Sequence, residues 1–386
     1  FIKFMESHDR DVRKNAYNVV YDAYKELINT IASAYNYNTK TDVVSARIRK
    51  YESARAAALS GDNIPAEVYD NLVAEVHKNL PAMHRYVDLR KKLLGVDKLY
   101  MYDMYVPLIK LPETSVSFEE GLDIMRDALQ PLGEEYLTKM NKGIEEGWID
   151  VYENKGKTSG AYSFGCYDSY PYILLNYTDT LKDVFTIIHE MGHSMHSRYT
   201  RDEQPYIYGS HSIFTAEVAS TVNESLLMQH LLRTEDEKEM RKYLLNMHLE
   251  EFRTTLFRQT MFAEFEDITH KAIESGETLT AEWMCQQYED LNAQYYGSAV
   301  EKDDVIRYEW ARIPHFYNAF YVYKYATGYS AATAISKKIL TEGKPAAQDY
   351  IRFLKTGESD HPIELLKIAG VDMSSPLPVQ QAMETF

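Results

Sequence analysis

The stretch TDTLKDVFTIIHEMGHSMHSRYT, residues 178–200, decides how the rest of the chain is interpreted. It begins with threonines, which are favoured helix caps, and apolar residues then recur at helical spacings from Leu181 to Ile188. The pattern predicts an α-helix from about Thr180 to Arg198. Its N-terminal half is apolar enough for a buried helix, where histidines need partners.

Three residues of this helix form the pattern HExxH. On a helix, His189 and His193 stand one turn apart on the same face, so both imidazoles can reach one zinc ion at about 2.0–2.1 Å. Glu190 lies about 100° around the helix axis from His189, beside the ion, where it can act as general base or acid toward water. The alternative is a chance pattern of two surface histidines around a glutamate; the buried context favours the metal site.

A third histidine, His196, lies close to the same face but too far along it. Seven residues separate it from His189, which is a rise of about 10.5 Å on a straight helix. One ion cannot be bound from both ends of that span. We therefore expect His196 to pack beside the site or to support it from outside.

The third ligand is expected from the segment SIFTAEVASTVNESLLMQHLL, residues 212–232, which is predicted to be a second helix. Glu217 follows His193 by 24 residues, which leaves room for a turn and an antiparallel return. Two histidines, one glutamate and an open position form a catalytic rather than a structural zinc set. Spacing favours Glu217, and Glu224 and Glu203 remain the alternatives.

The remaining sequence predicts a mainly α fold, in which a small antiparallel β-sheet lies next to the HExxH helix. Aromatic and β-branched runs within residues 148–176 indicate the strands. We expect one catalytic domain over residues 1–386, with a helical part at 1–108 and the sheet, the HExxH helix pair and the C-terminal helices at 109–386. The predicted helices are 9–36, 42–60, 65–93, 117–130, 131–147 and one long helix from the capping box of Thr234 and Glu237 to Gly276.

Near the C-terminus, PHFYNAFYVYKYATGY, residues 314–329, combines a histidine with a run of tyrosines. A helix beginning at Pro314 would place Tyr317, Tyr321 and Tyr325 on one face. Tyrosine hydroxyls suit the stabilisation of an oxyanion, and we assign that role to Tyr321 and Tyr325. The alternative is an aromatic stripe in the core.

Composition excludes some classes of partner. The net charge of −16 argues against nucleic acid, and we find no apolar run long enough to cross a membrane. The chain contains only two cysteines, Cys166 and Cys285. Few cysteines in a long chain are typical of a reducing compartment, so we expect a cytoplasmic protein.

The motifs HEMGHSMHSRY, IFTAEVASTVNE and IPHFYNAFYVYKYATGYSAA together closely resemble the oligoendopeptidase F branch of the thimet-type zinc metallopeptidases. The resemblance covers nearly the whole chain. It implies a helical fold with a deep channel, one zinc ion held by His189, His193 and Glu217, and Glu190 as the general base or acid. It also implies that His315 and nearby tyrosines face the substrate. Family chains carry a further N-terminal helical lobe, and we expect this chain to lack it.

The expected function is zinc-dependent endopeptidase cleavage of short unstructured peptides. The strand at 161–167 is expected to pair with an extended peptide by edge addition, which gives broad specificity. The alternatives are a zinc carboxypeptidase of similar fold, a peptide-binding fragment without turnover, and a helical scaffold without metal. Oligomeric state is not determined by these patterns.

Overall fold

The computed structural model describes residues 1–109 and 115–386. Its N-terminal helices are α1 (Ile2–Met5), α2 (Arg10–Glu26), α3 (Ile28–Ile48), α4 (Ala54–Ser60), α5 (Ala66–Leu94), α6 (Phe118–Ala128) and α7 (Glu134–Glu145). Three short strands follow: β1 (Ile149–Asp150), β2 (Tyr162–Phe164) and β3 (Tyr172–Leu174). The C-terminal helices are α8 (Leu181–Glu203), α9 (Ile213–Thr234), α10 (Lys238–Glu251), α11 (Arg258–Glu274), α12 (Ala281–Tyr296), α13 (Tyr323–Glu342), α14 (Lys344–Leu354), α15 (Pro362–Ile368) and α16 (Leu377–Thr385). The predicted mainly α fold, with a small sheet beside the HExxH helix, is confirmed.

The sheet differs from the prediction in its pairing. It was expected to be antiparallel, but the strand order is β1-β3-β2, and only β2 and β3 are antiparallel. β1 pairs with β3 in parallel, with Ile149 opposite Ile173. The hairpin of β2 and β3 is antiparallel, but it pairs with β1 through β3, which runs in the same direction as β1. β2 is therefore left at an edge of the sheet.

Several predicted helices are divided. The helix expected over 9–36 breaks at Leu27, and α3 then continues to Ile48. The capping box of Thr234 and Glu237 does not form, because Thr234 still belongs to α9 and the Glu237 side chain makes no capping hydrogen bond. The long helix beyond it is interrupted by a π-helical turn at Phe252–Phe257. Side-chain caps do form at Ser117, at the start of α6, and at Thr280, at the start of α12.

The centre of the molecule is formed by three helices. α9 packs against α8 on one side and against α13 on the other. The apolar residues of α8 that the sequence places on one face, including Val184, Ile188 and Met191, are fully buried. Along the part of the chain that the structure describes, no helix is both long and apolar enough to cross a membrane.

The division of the chain at residues 108 and 109 remains a prediction. Part of the proline-containing segment at that boundary, residues 110–114, lies outside the described residues.

Candidate metal centre and active site

The helix that carries HExxH begins at a well-formed cap. The Thr180 hydroxyl accepts a hydrogen bond from the Asp183 backbone N–H at 3.3 Å, and the Asp183 carboxylate accepts one from the Thr180 N–H at 3.0 Å. This reciprocal pair satisfies two free donors of the first helical turn. The start of α8 is thereby fixed two turns before His189.

Close packing of α8 on α9 brings the two halves of the site together. Gly192 lies so near α9 that an added Cβ would stand 2.6 Å from the Ser220 Cα and 2.7 Å from the Ala219 carbonyl oxygen. A side chain at position 192 would therefore force the backbones apart. Gly192 stands just before His193, and Ser220 lies one turn after Glu217.

Three side-chain atoms converge at this contact. The Nε2 atoms of His189 and His193 are 3.2 Å apart, and the Glu217 Oε2 atom lies 3.4 Å from the first and 3.5 Å from the second. A tetrahedral zinc ion with bonds of about 2.0–2.1 Å needs ligand atoms about 3.3–3.4 Å apart. The triangle has the size and the nitrogen and oxygen donors that such an ion requires, so the residues fit zinc.

The two alternative ligands have other partners. The Glu224 carboxylate lies 3.0 Å from Nδ1 of His189, the ring nitrogen that faces away from the triangle. By accepting the Nδ1–H it leaves the Nε2 lone pair free for a metal. Glu203 is half exposed at the end of α8 and pairs with Lys355 at 3.9 Å.

His196 is turned away from the converging atoms. It is buried, and its ring stacks on His211 with centroids 3.7 Å apart and on Phe353 at 5.3 Å. Burial lowers the pKa of His211 to about 4 and lowers that of His196 as well, so both rings are neutral. His196 therefore packs beside the site.

The charges around the triangle favour a cation. Hydrogen bonds from His189 and His193 hold the pKa of Glu217 well below its usual range. Burial opposes protonation of His189, but the carboxylates of Glu217 and Glu224 outweigh it and raise the pKa of that ring to about 10. The two carboxylates thus both favour a positive charge at or beside the His189 ring. A zinc ion supplies that charge while leaving both imidazoles neutral.

Glu190 stands apart from the three converging residues and is buried. Burial raises the pKa of Glu190, and the nearby backbone of Ser163, in β2, partly offsets this rise. A second contact joins the same strand to the helix, since the hydroxyls of Ser163 and Ser194 are 2.7 Å apart. The edge strand is therefore attached directly to the HExxH helix next to Glu190.

The C-terminal motif reaches the site by a different path from the one predicted. A single helix from Pro314 was expected, but Pro314–Tyr317 form a 3₁₀ turn and α13 begins at Tyr323. The helix is interrupted because Phe320 adopts a left-handed backbone, with φ of 53°. Tyr317 does not share a face with the other tyrosines, and it packs instead on Tyr35, with ring centroids 5.8 Å apart.

His315, Tyr321 and Tyr325 nevertheless form one cluster. The His315 ring lies 5.9 Å from the Tyr321 ring and 6.0 Å from that of Tyr325, and the two tyrosine hydroxyls are 3.4 Å apart. Burial raises the pKa of Tyr325, and the negative charge of Glu217 adds to the effect. The Tyr325 hydroxyl therefore stays protonated at neutral pH. Each can donate a hydrogen bond on the side of the site where Glu217 lies.

Two features of the site were missed from the sequence. The role of Gly192 can be inferred only once the position of α9 is known, and no local sequence pattern gives that position. The contact of Glu224 with His189 had a signal, since Glu224 follows Glu217 by two helical turns on the same face.

The helical fold and the HExxH site together define the metallopeptidase class. The chain belongs to peptidase family M3, whose model matches residues 3–385. It is 53% identical to "Oligopeptidase PepF" of Bacillus subtilis over its whole length, and it spans 58% of that protein. It is 45% identical to "Group B oligopeptidase PepB" of Streptococcus agalactiae, again over its whole length, and spans 64% of that protein.

A solved structure supports the same assignment. The crystal structure of oligoendopeptidase-F from Enterococcus faecium superposes with a TM-score of 0.83 at 41% identity, covering all of this chain and 63% of that one. The predicted resemblance to oligoendopeptidase F is therefore confirmed. The chain spans less than two thirds of these relatives.

Proposed function

We propose that this chain is the catalytic portion of a zinc-dependent endopeptidase that hydrolyses short, unstructured peptides. The observation that carries the proposal is the triangle of His189, His193 and Glu217, whose edges of 3.2–3.5 Å match a tetrahedral zinc site. Family membership and the names of the relatives support a peptidase that acts on oligopeptides.

His189, His193 and Glu217 would hold the ion, and Glu224 would fix the His189 ring. When bound, zinc supplies Lewis-acid chemistry toward a peptide carbonyl and toward water. The carboxylate of Glu190 takes a proton from the attacking water and passes it to the leaving amine. Burial of Glu190 suits both steps, because its raised pKa brings it closer to the range in which a carboxyl gives and takes protons.

The hydroxyls of Tyr321 and Tyr325 serve as donors to the oxygen of the scissile carbonyl as negative charge develops on it. His315, which is exposed and stacked beside them, faces the peptide. Removing one oxyanion donor typically costs about 2.7–4 kcal/mol of transition-state stabilisation.

The substrate backbone is bound at the edge strand. Over residues 1–109 and 115–386, β2 has one neighbouring strand, β3, so its other edge can accept an extended peptide. Main-chain pairing is insensitive to side chains but requires an extended backbone, which a folded protein does not offer. Ser163 would place such a peptide next to Glu190, because its hydroxyl contacts Ser194 on the HExxH helix and its backbone lies near the Glu190 carboxylate.

A reducing compartment suits the two cysteines. Cys166 is exposed and Cys285 is buried, and both are free thiols. We accordingly place the enzyme in the cytoplasm.

One experiment separates the functional alternatives. An internally quenched peptide of about ten residues, acetylated at the N-terminus and amidated at the C-terminus, is incubated with the zinc-loaded protein, and the products are identified by mass. An endopeptidase cuts it internally, whereas a carboxypeptidase needs a free carboxylate and leaves it intact. A peptide-binding fragment binds it without products.

The controls follow from the geometry. Glu203→Gln, on the same helix but paired only with Lys355 among the described residues, should leave activity unchanged. Metal analysis of the purified protein should give one zinc per chain. A protein without stoichiometric zinc after loading would reject the proposal.

A further inference from the structure

Outside the metal centre, one buried acid has no basic partner among the residues that the structure describes. Glu266, in α11, is fully buried. Its Oε1 atom accepts a hydrogen bond from the Phe320 backbone N–H at 2.6 Å, and its Oε2 atom has no hydrogen-bond partner among the described residues. Burying a carboxyl with only one hydrogen bond costs free energy of folding, so this single contact needs a structural or functional explanation.

The contact is made at the one residue of the C-terminal motif whose backbone is unfavourable. Phe320 has φ of 53°, a conformation that bulky side chains rarely adopt. Its buried ring is held on two sides, 4.7 Å from the His270 ring and 5.9 Å from the Tyr69 ring. A conformation of this kind persists only where the surroundings fix it.

The left-handed turn decides where the next residue points. Phe320 separates the 3₁₀ turn that carries His315 from α13, which carries Tyr325, and Tyr321 follows it directly. With an ordinary right-handed backbone at Phe320, the chain would leave this turn in another direction. Tyr321 would then lose its contact with the other two rings.

We propose that Glu266 is a positioning residue, which holds the Phe320 N–H and thereby fixes the turn that presents Tyr321 beside His315 and Tyr325. The inference rests on the proposed peptidase function, since it assigns Tyr321 to the reaction. Glu266 itself reaches neither the metal ligands nor the tyrosine hydroxyls; it acts through the backbone.

Its own chemistry fits this role. Burial raises the pKa of Glu266 well above the usual range, and the nearby charges of Asp42 and Asp267 add to the effect. A neutral carboxyl keeps a carbonyl oxygen as an acceptor. Glutamine offers the same acceptor with nearly the same shape, so Glu266→Gln is the conservative variant and Glu266→Ala the disruptive one.

Kinetics on the quenched peptide provide the first test. Glu266→Ala should lower kcat by about 10²–10³-fold, as loss of an oxyanion donor does, with KM and zinc content unchanged. Glu266→Gln should restore kcat to within about threefold of wild type. In a Tyr321→Phe background, Glu266→Ala should lower kcat by less than about threefold more, because both changes remove the same donor.

A matched control is Asp303→Ala. Asp303 also accepts backbone hydrogen bonds, from Val305 and Ile306 at 2.9 and 2.7 Å, but outside the 314–329 motif. It should change stability without changing kcat. If Glu266→Ala does not fold, Glu266→Met replaces it, because methionine fills the space without a strong acceptor.

Hydrogen exchange gives a second readout that does not depend on activity. The amides of residues 316–322 should exchange faster in Glu266→Ala than in wild type or Glu266→Gln, while those of α8 stay protected. Unchanged exchange in Glu266→Ala, an unchanged kcat, or a full additive loss in the Tyr321→Phe background would each overturn the positioning role. A wild-type protein that cleaves no peptide would instead refute the proposed function, whatever the exchange result.

Discussion

Gly192 and Ser220 touch backbone to backbone, at a distance that leaves no room for a Cβ on residue 192. This contact sets the separation between the helix with the two histidines and the helix with Glu217. The site geometry therefore depends on a residue that has no polar side chain.

Gly192→Ala is expected to lower both stability and zinc affinity, because the added methyl group pushes α8 from α9. Overpacking of this kind typically costs about 1–3 kcal/mol. Thermal unfolding and competition with a chelator measure the two effects. Gly328→Ala in α13 is the control, since its Cβ would come no closer than 4.0 Å to the nearest atom, the Phe214 carbonyl oxygen. Equal effects of the two substitutions would contradict the close-contact argument.

Glu190→Gln is expected to keep zinc and the fold but to lose hydrolysis by about 10²–10⁴-fold, because an amide cannot accept the proton of water. Steady-state kinetics and metal analysis on the same sample test this. Turnover within about tenfold of wild type, a difference of only about 1.4 kcal/mol, would show that the proton acceptor is another group.

Zinc affinity should fall in a defined order among three alanine variants. Glu217→Ala removes a ligand atom and should lower zinc affinity the most. Glu224→Ala removes the carboxylate that orients His189 and should lower zinc affinity by about 10–100-fold. His196→Ala should lose less than either, since His196 packs on His211. Chelator competition ranks the three. A His196 variant as weak as Glu217→Ala would place His196 among the ligands.

Tyr321→Phe and Tyr325→Phe each remove only a hydroxyl. If both hydroxyls stabilise the oxyanion, each variant should lower kcat by about 10²–10³-fold with little change in KM. Tyr317→Phe is the control, because Tyr317 packs on Tyr35 outside the cluster. A large effect at Tyr317 and none at the other two positions would overturn the assignment of Tyr321 and Tyr325 as oxyanion donors.

The environment of Glu309 predicts how the free energy of unfolding changes at low pH. This fully buried carboxylate accepts hydrogen bonds from Arg258 and Arg312. Burial opposes its ionisation, but the two arginines outweigh it and hold the pKa of Glu309 well below the usual range. The contribution of Glu309 to the free energy of unfolding is thus complete above the unfolded-state pKa of about 4.3. It is lost as the pH falls toward the lower pKa of the folded state.

Glu309→Gln should therefore destabilise the protein at pH 7 by about 3–5 kcal/mol, because two partly buried arginines lose their buried counter-charge. The difference from wild type in the free energy of unfolding should shrink below about pH 4.3. Denaturant titrations at several pH values measure it. Glu364→Gln, which breaks an exposed pair with Lys367, should change little. A difference independent of pH would mean that Glu309 is not ionised in the folded state.

The sequence predicted the features that depend on short-range patterns. The cap at Thr180, the helix after it and the one-turn spacing of His189 and His193 all lie within a single helix, where periodicity is informative. The convergence of Glu217 followed from spacing combined with a family motif.

The features that were wrong depend on distant parts of the chain. No sequence pattern marks a phenylalanine with a left-handed backbone. The sequence therefore predicts a continuous helix through Phe320, where the structure has a break. The parallel pairing of β1 with β3 joins segments more than 20 residues apart. The division of the long helix after Glu251 depends on packing around the π-helical turn.

That π-helical turn has a consequence for Glu266, which lies farther along the same helical run. A π turn holds one residue more than an α turn, so it offsets all later side chains by about 100° around the helix axis. Glu266 lies nine residues beyond Phe257 and accepts the Phe320 N–H, so this offset contributes to the direction in which its side chain points. Deleting a single residue between 252 and 257 is therefore expected to rotate Glu266 away from the Phe320 N–H. The number of residues in one distant helical turn thus sets the alignment of the tyrosine cluster.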